Sequence, residues 1–221
     1  DYTGYYIKAD SRHLGLAVDV LSDMLLNSKF DHKEVEREKG VIIEEINMYE
    51  DNPLMYVDDL LEQVMFGNDP LGRSIAGTRE TVRNFDNEKL IAYRDKFYQG
   101  ANIVIGLVGN FQQNNIREIE RSFKFKKSEG KNKFKPVALN QIKPQIKLKY
   151  KETEQTQIAL GFFAYPYNDP RLYALQILSV ILGGNMSSRL FLKIRERHGL
   201  AYFIRSGLSI YEDTGGLIIQ S

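Results

Sequence analysis

The chain has no cysteine, only three histidines, no excess of charge of either sign, and no run of about 18 apolar residues that could span a bilayer. Without cysteine there is no disulfide framework, no thiolate metal site and no cysteine nucleophile, which suits a reducing compartment, so the expected location is the cytoplasm. Thirty basic against 29 acidic residues leave no overall field to attract nucleic acid or an anionic membrane, and neither is expected as a partner. The first residues, DYTGYYIKAD, lack both the basic and the apolar region of a secretion signal.

What is present is ordinary globular material. An apolar fraction of 43% over 221 residues is enough for one large or two modest cores and excludes a disordered or fibrous chain. The sequence opens almost directly on an apolar alternation and stops on the strand-like GGLIIQS, so both ends read as cuts inside domains.

Periodicity and punctuation predict a strand over 5–9, then helices over 12–27 and 31–50, the second opened by Asp31 as N-cap. Asn52-Pro53 breaks that helix and starts another, PLMYVDDLLEQVMF, with Pro53 in its first turn. GNDPLGRSIAG is turn-rich. A helix follows over 87–97 behind Asp86, then a buried strand in NIVIGLVGNF and a helix over 113–123. The stretch KKSEGKNKFKPVALNQIK has the composition of an interdomain linker, and lacks the spaced aromatics of a nucleic-acid surface. Beyond it come strands over 146–150 and 157–163, helices over 170–182 and 187–197, and paired strands from Tyr202 onward. The nonapeptides AVDVLSDML and ALQILSVIL, each following a strand and an Asp-x-Arg turn, suggest an internal repeat. The expected fold is α/β (α+β): two homologous, truncated units of mixed, mainly antiparallel sheet covered by helices, spanning 1–125 and 146–221 with a linker at 126–145.

The helix over 31–50 carries the chemical signal. At about 100° per residue, Val35, Ile42, Ile46 and Tyr49 form one stripe, while Glu38 and Glu45 superimpose two turns apart between that stripe and Val41 and Met48. A carboxylate flanked by apolar residues needs a basic partner, a hydrogen-bond network or a metal. Periodicity leaves the structural ion pair and the metal ligand both open.

EREKGVIIEEINMYEDNP (36–53) resembles the distal-ligand helix of the pitrilysin (insulinase) zinc peptidases, inverted zincins whose first two ligands come from an H-x-x-E-H motif on an earlier helix. The likeness continues through DPLGRSIAGTRETVRNF, where Asp69 stands in a place the family often gives to His, through NIVIGLVGNF, and through GGNMSSRLFLKIRERHGLAY (183–202). It implies a zinc-dependent endopeptidase of the mitochondrial-processing-peptidase-like, bacterial type, acting on peptides or unfolded and presequence segments inside a two-domain chamber, as a homo- or heterodimer. Carried over by position, Glu45 is the zinc ligand, Glu38 an assisting catalytic carboxylate, Arg195 a substrate contact, and Tyr202 both a substrate contact and a catalytic hydroxyl. Read without the family, Arg195 and Gly199 are equally the punctuation of a helix end. The histidines are His13, His32 and His198, and none lies in H-x-x-E-H. The resemblance therefore implies Zn2+ in an intact parent, its absence from this chain, and no proteolysis by this chain alone. A non-catalytic scaffold subunit of the same fold is the competing expectation.

Overall fold

Helix boundaries follow the capping chemistry of the sequence. A computed structural model describes residues 2–125, 134–139 and 141–221. In it Asp10 accepts from the Arg12 amide at 2.9 Å and opens a 3-10 turn, Ser11–His13, that runs into α1, Leu14–Leu26. Asp31 accepts from the Lys33 amide ahead of α2, His32–Asp51. Asn52 caps α3, Pro53–Phe66, which ends at Gly67 with φ +56°. The short helix α4, Arg79–Arg83, was not among the expected elements. Asp86 caps α5, Asn87–Phe97, and reciprocal bonds between Gln112 and Asn115 open α6, Gln113–Ser122.

The chain divides into two compact units, residues 1–41 with 80–134 and residues 42–79 with 135–221. In the first, α1 packs on α6, Val18 and Ser22 are buried, and Tyr5 and Tyr98 share a hydroxyl hydrogen bond of 2.9 Å. Arg94 donates to the Ser28 carbonyl at 2.7 Å with its guanidinium 5.7 Å from the Phe30 ring centre.

The second unit holds an antiparallel sheet of order β1-β3-β2, with β1 at Ala159–Ala164, β2 at Arg205–Ile210 and β3 at Gly215–Gln220. Leu61, Met65 and Phe66 of α3 form its core with Phe163 of β1, Ile218 of β3 and Tyr211. Phe66 meets Phe163 and Tyr211 edge-on, with ring centres 6.0 and 5.8 Å apart. Burying a side chain of that size contributes about 1.5–3 kcal/mol. On β2 lies α7, Leu172–Gly183, joined through Ser179 and Ser206, whose hydroxyls are 3.2 Å apart. A π-helical segment, Phe191–Arg197, follows.

The α+β class and the helices agree with expectation, but three predicted strands do not form. Residues 5–9, 103–108 and 146–150 lie outside every ladder among the described residues. Val104 and Val108, expected to be buried, are 96% and 98% exposed. β-branched alternation marks a surface suited to a sheet, but the ladder needs a neighbouring strand, and none runs beside these segments among the described residues. The sheet anticipated within 1–125 is therefore not seen among the described residues. Residues 126–133 and 140 of the expected linker lie outside the described residues.

The repeat has a structural counterpart. Asp169 accepts from the Arg171 amide and side chain at 2.9, 3.0 and 2.7 Å, as Asp10 does from Arg12 at 2.9, 3.1 and 3.2 Å. Each pair precedes a helix whose matching serine, Ser22 in α1 and Ser179 in α7, is buried.

Candidate functional site

The local sequence makes α2 long and continuous. Of its residues Ile46 is buried, Val35 and Ile42 are half-buried, and Tyr49, expected in the same stripe, is exposed. Glu38 and Glu45 lie on the other side, also exposed, as are the flanking Val41 and Met48. Val41 and Met48 flank the two carboxylates as the wheel expects but are themselves about half exposed, so the flanking does not bury either acid.

Their neighbours on the helix behave differently. Glu34 pairs with Arg37, Glu36 with Lys39 at 2.5 Å, Glu50 with Arg79 at 2.8 Å, and Asp51 with Lys151 at 2.7 Å. Among the described residues no ion pair reaches Glu38, Glu44 or Glu45, so the alternative of a structural pair with Arg or Lys has no support on this helix.

The other two candidates lie in the second unit. Arg195 is exposed at the end of the π-helical segment, with its guanidinium 4.8 Å from the Phe191 ring centre and only a loose 4.0 Å approach to Glu196. Gly199, at φ +60°, ends the helix and donates to the Arg195 carbonyl at 3.0 Å. The helix punctuation read from the sequence is therefore real, with the exposed Arg195 guanidinium lying back over the Phe191 ring of the same segment. Tyr202 is also exposed. Asp69 accepts from the Leu71 amide at 3.1 Å and caps the 3-10 turn Pro70–Gly72.

Two clusters escaped the sequence reading. Arg79 grips the end of α2: its guanidinium donates to Asn47 Oδ1 at 3.1 and 2.5 Å and to both Glu50 oxygens at 3.1 and 2.8 Å. It holds the Glu50 carboxyl below the usual carboxylate range. The second is a row of half-buried acids on α3. Burial pushes Asp58, Asp59 and Glu62 up, with Arg205 pulling Asp58 back and the Tyr211 hydroxyl, which donates to Glu62 at 3.1 Å, opposing the shift at Glu62. Burial, and then the nearby Glu62, push Tyr211 up to about 12. The only trace of either cluster in the sequence is acidic residues at helical spacing with aromatics.

Among the described residues no three His, Cys, Asp or Glu side chains come together in a way that could hold a metal ion. For a zinc ion, this chain fits as the source of one oxygen donor: Glu45 is an exposed, unpaired carboxylate, which suits a single position in a mixed nitrogen and oxygen shell. Among the described residues the remainder of such a shell is not gathered around it.

Comparison with known proteins places these residues in context. Residues 1–79 match the family model described as insulinase (peptidase family M16), and residues 84–221 match that described as the peptidase M16 inactive domain. An uncharacterized zinc protease of Bacillus subtilis, YmxG, is 42% identical over 99% of this chain and 53% of its own length. One from Rickettsia felis is 36% identical over all of this chain and 54% of its own. The chain spans about half the length of these curated relatives. Among solved structures, a peptidase M16 inactive domain from Pseudomonas fluorescens superposes with TM-score 0.80 at 22% identity, over 92% of this chain and 50% of that one. A protease from Helicobacter pylori superposes with TM-score 0.78 at 17% identity, over 96% and 52%. At these identities the likeness speaks to the fold.

Proposed function

This chain belongs to the M16 (insulinase) family of peptidases, and from that premise we propose that the full-length protein is a zinc-dependent endopeptidase to which these residues contribute part of the active site. The family's relatives are named zinc proteases. The observation that carries the reading is the position of Glu38 and Glu45: two turns apart, they share one face of α2, exposed and, like Glu44 but unlike Glu34, Glu36, Glu50 and Asp51, without an ion pair among the described residues.

In this reading Glu45 provides one oxygen ligand and Glu38, two turns away on the same face, orients the metal site. A bound zinc would acidify a water molecule and polarise the scissile carbonyl. Arg195 offers charge-assisted donors to a substrate carbonyl, its guanidinium engaged among the described residues by the Phe191 ring and a 4.0 Å approach to Glu196. Tyr202 offers a hydroxyl to the oxyanion that develops at the attacked carbon. The substrates are peptides or unfolded and presequence segments held in a chamber, the protein acts as a homo- or heterodimer in a bacterial cytoplasm, and the isolated 221-residue chain cleaves nothing. No helix among the described residues is long and apolar enough to cross a membrane.

A second reading has its own support. Residues 84–221, which include Arg195 and Tyr202, match the model described as an inactive domain, as a non-catalytic scaffold subunit would. Cleavage of a quenched fluorogenic peptide by the full-length protein separates the two. Hydrolysis abolished by a chelator and restored by zinc supports the peptidase; a folded, full-length protein that cleaves no peptide with or without zinc overturns it in favour of the scaffold.

A further inference from the structure

Glu45, Asn47 and Glu50 lie on one helix, and their angular positions decide what the Arg79 clamp does. With Glu45 at zero and about 100° per residue, Asn47 falls at roughly 200° and Glu50 at roughly 140°, while Glu38 returns to within about 20° of Glu45. Arg79 therefore grips the side of α2 opposite the acidic pair. Its four side-chain hydrogen bonds among the described residues go to that side, two to Asn47 and two to Glu50. Lys151 adds bonds to the Glu50 carbonyl at 3.0 Å and to Asp51 at 2.7 Å, placing a cation where the helix dipole favours one.

The geometry points to Arg79 as a positioning residue for Glu45, one that fixes the rotation of α2 about its own axis through Asn47 and Glu50. This inference rests on the reading of Glu45 as a zinc ligand. Apolar packing alone fixes the rotation weakly, since Ile46 is the one residue of α2 that is fully buried. A side chain at the outer radius of a helix, about 5–6 Å, moves about 2 Å for a rotation of about 20°. That equals the length of the bond it must make, as zinc binds carboxylate oxygen at about 2.0–2.2 Å. A fork gripping two side chains three residues apart resists such a rotation better than one contact does, and lysine, with a single ammonium, cannot reproduce it.

The experiment is zinc affinity of the full-length protein, measured by competition with a chromophoric chelator well below the unfolding temperature, alongside the unfolding temperature itself. Arg79→Ala is expected to weaken zinc binding about tenfold, the range found for residues that orient a ligand. Glu50→Gln with Asn47→Ala should weaken it similarly, adding little when combined with Arg79→Ala. Arg79→Lys should restore only part of the affinity. Glu50→Gln alone, which keeps shape and an acceptor, tests the clamp should the alanine variant not fold, and is expected to weaken binding a few-fold. Unchanged zinc affinity in these variants, with only the unfolding temperature lowered, would make the clamp structural and overturn the inference. If Glu45→Gln itself leaves zinc affinity unchanged, it is the ligand reading that fails, and the inference with it.

Discussion

Gly183 at the end of α7 lies so close to Ser206 of β2 that a Cβ built on it would stand 2.5 Å from the Ser206 backbone nitrogen. A β-strand backbone cannot step aside without breaking its ladder. Gly183→Ala is therefore expected to destabilise the chain by about 1–3 kcal/mol. Gly161 provides the comparison: a Cβ there would press on the Met65 sulfur and stand 2.9 Å from Leu61 Cδ1, but methionine can swing away. Denaturant unfolding of both variants should show the larger loss at Gly183; an equal or greater loss at Gly161 would contradict the packing described.

Gln220 is the most deeply buried polar side chain among the described residues, 1% exposed. Its Nε2 donates to the Leu54 carbonyl at 2.7 Å and its Oε1 accepts from Arg205 Nε at 2.7 Å, so one amide ties α3 to β2 and β3. Gln220→Met keeps the volume and removes both hydrogen bonds, one of them to a charged guanidinium, which should cost about 1–3 kcal/mol. Denaturant titration measures it, and an unchanged midpoint would contradict the role.

Glu62 gives the chain a pH signature. Burial holds its folded pKa above the unfolded value of 4.5, with the nearby Asp59 and Asp58 adding to the shift and the Tyr211 hydroxyl opposing it. In that window the folded state binds the proton more tightly than the unfolded one, so this group's contribution to stability falls as pH rises from 4.5 through the raised folded pKa. Glu62→Gln keeps an acceptor for Tyr211 and removes the ionisation. It is expected to stabilise the chain at pH 7 relative to the parent sequence, with the difference shrinking towards pH 4. A difference that grows towards pH 4 would have the wrong sign.

Much of this architecture was legible in the sequence because helix ends carry local chemistry. Asp31, Asn52-Pro53, Asp86 and Gly199 mark ends that depend on nearby residues alone. Strands depend on distant neighbours, so 157–163 was read nearly correctly, with its partner β3 in the chain, whereas NIVIGLVGNF and 146–150 have strand-like patterns without a ladder. Similarly, the helical wheel placed Glu38 and Glu45 on one face, but their exposure depends on what covers Val41 and Met48, which a wheel does not contain. Nor does a wheel contain the partner of Asn47, since Arg79 is 32 positions away.

On the substrate side, Tyr202→Phe in the full-length peptidase is expected to lower kcat about 10²-fold with little change in KM, the pattern of a donor that acts on developing charge. Arg195→Ala should raise KM as well, as a lost substrate contact does. Steady-state kinetics on one peptide resolve the two, and an unchanged kcat for Tyr202→Phe would remove the hydroxyl from the chemistry.

The most direct test of the account is zinc stoichiometry of the full-length protein, by elemental analysis after dialysis, in Glu45→Gln and Glu44→Gln. The two residues are adjacent, both exposed and both without an ion pair among the described residues, but they point about 100° apart on α2. The account predicts one zinc per active site in the parent and in Glu44→Gln, and loss of zinc in Glu45→Gln. Retention of full zinc by Glu45→Gln, or none in the parent, would contradict it.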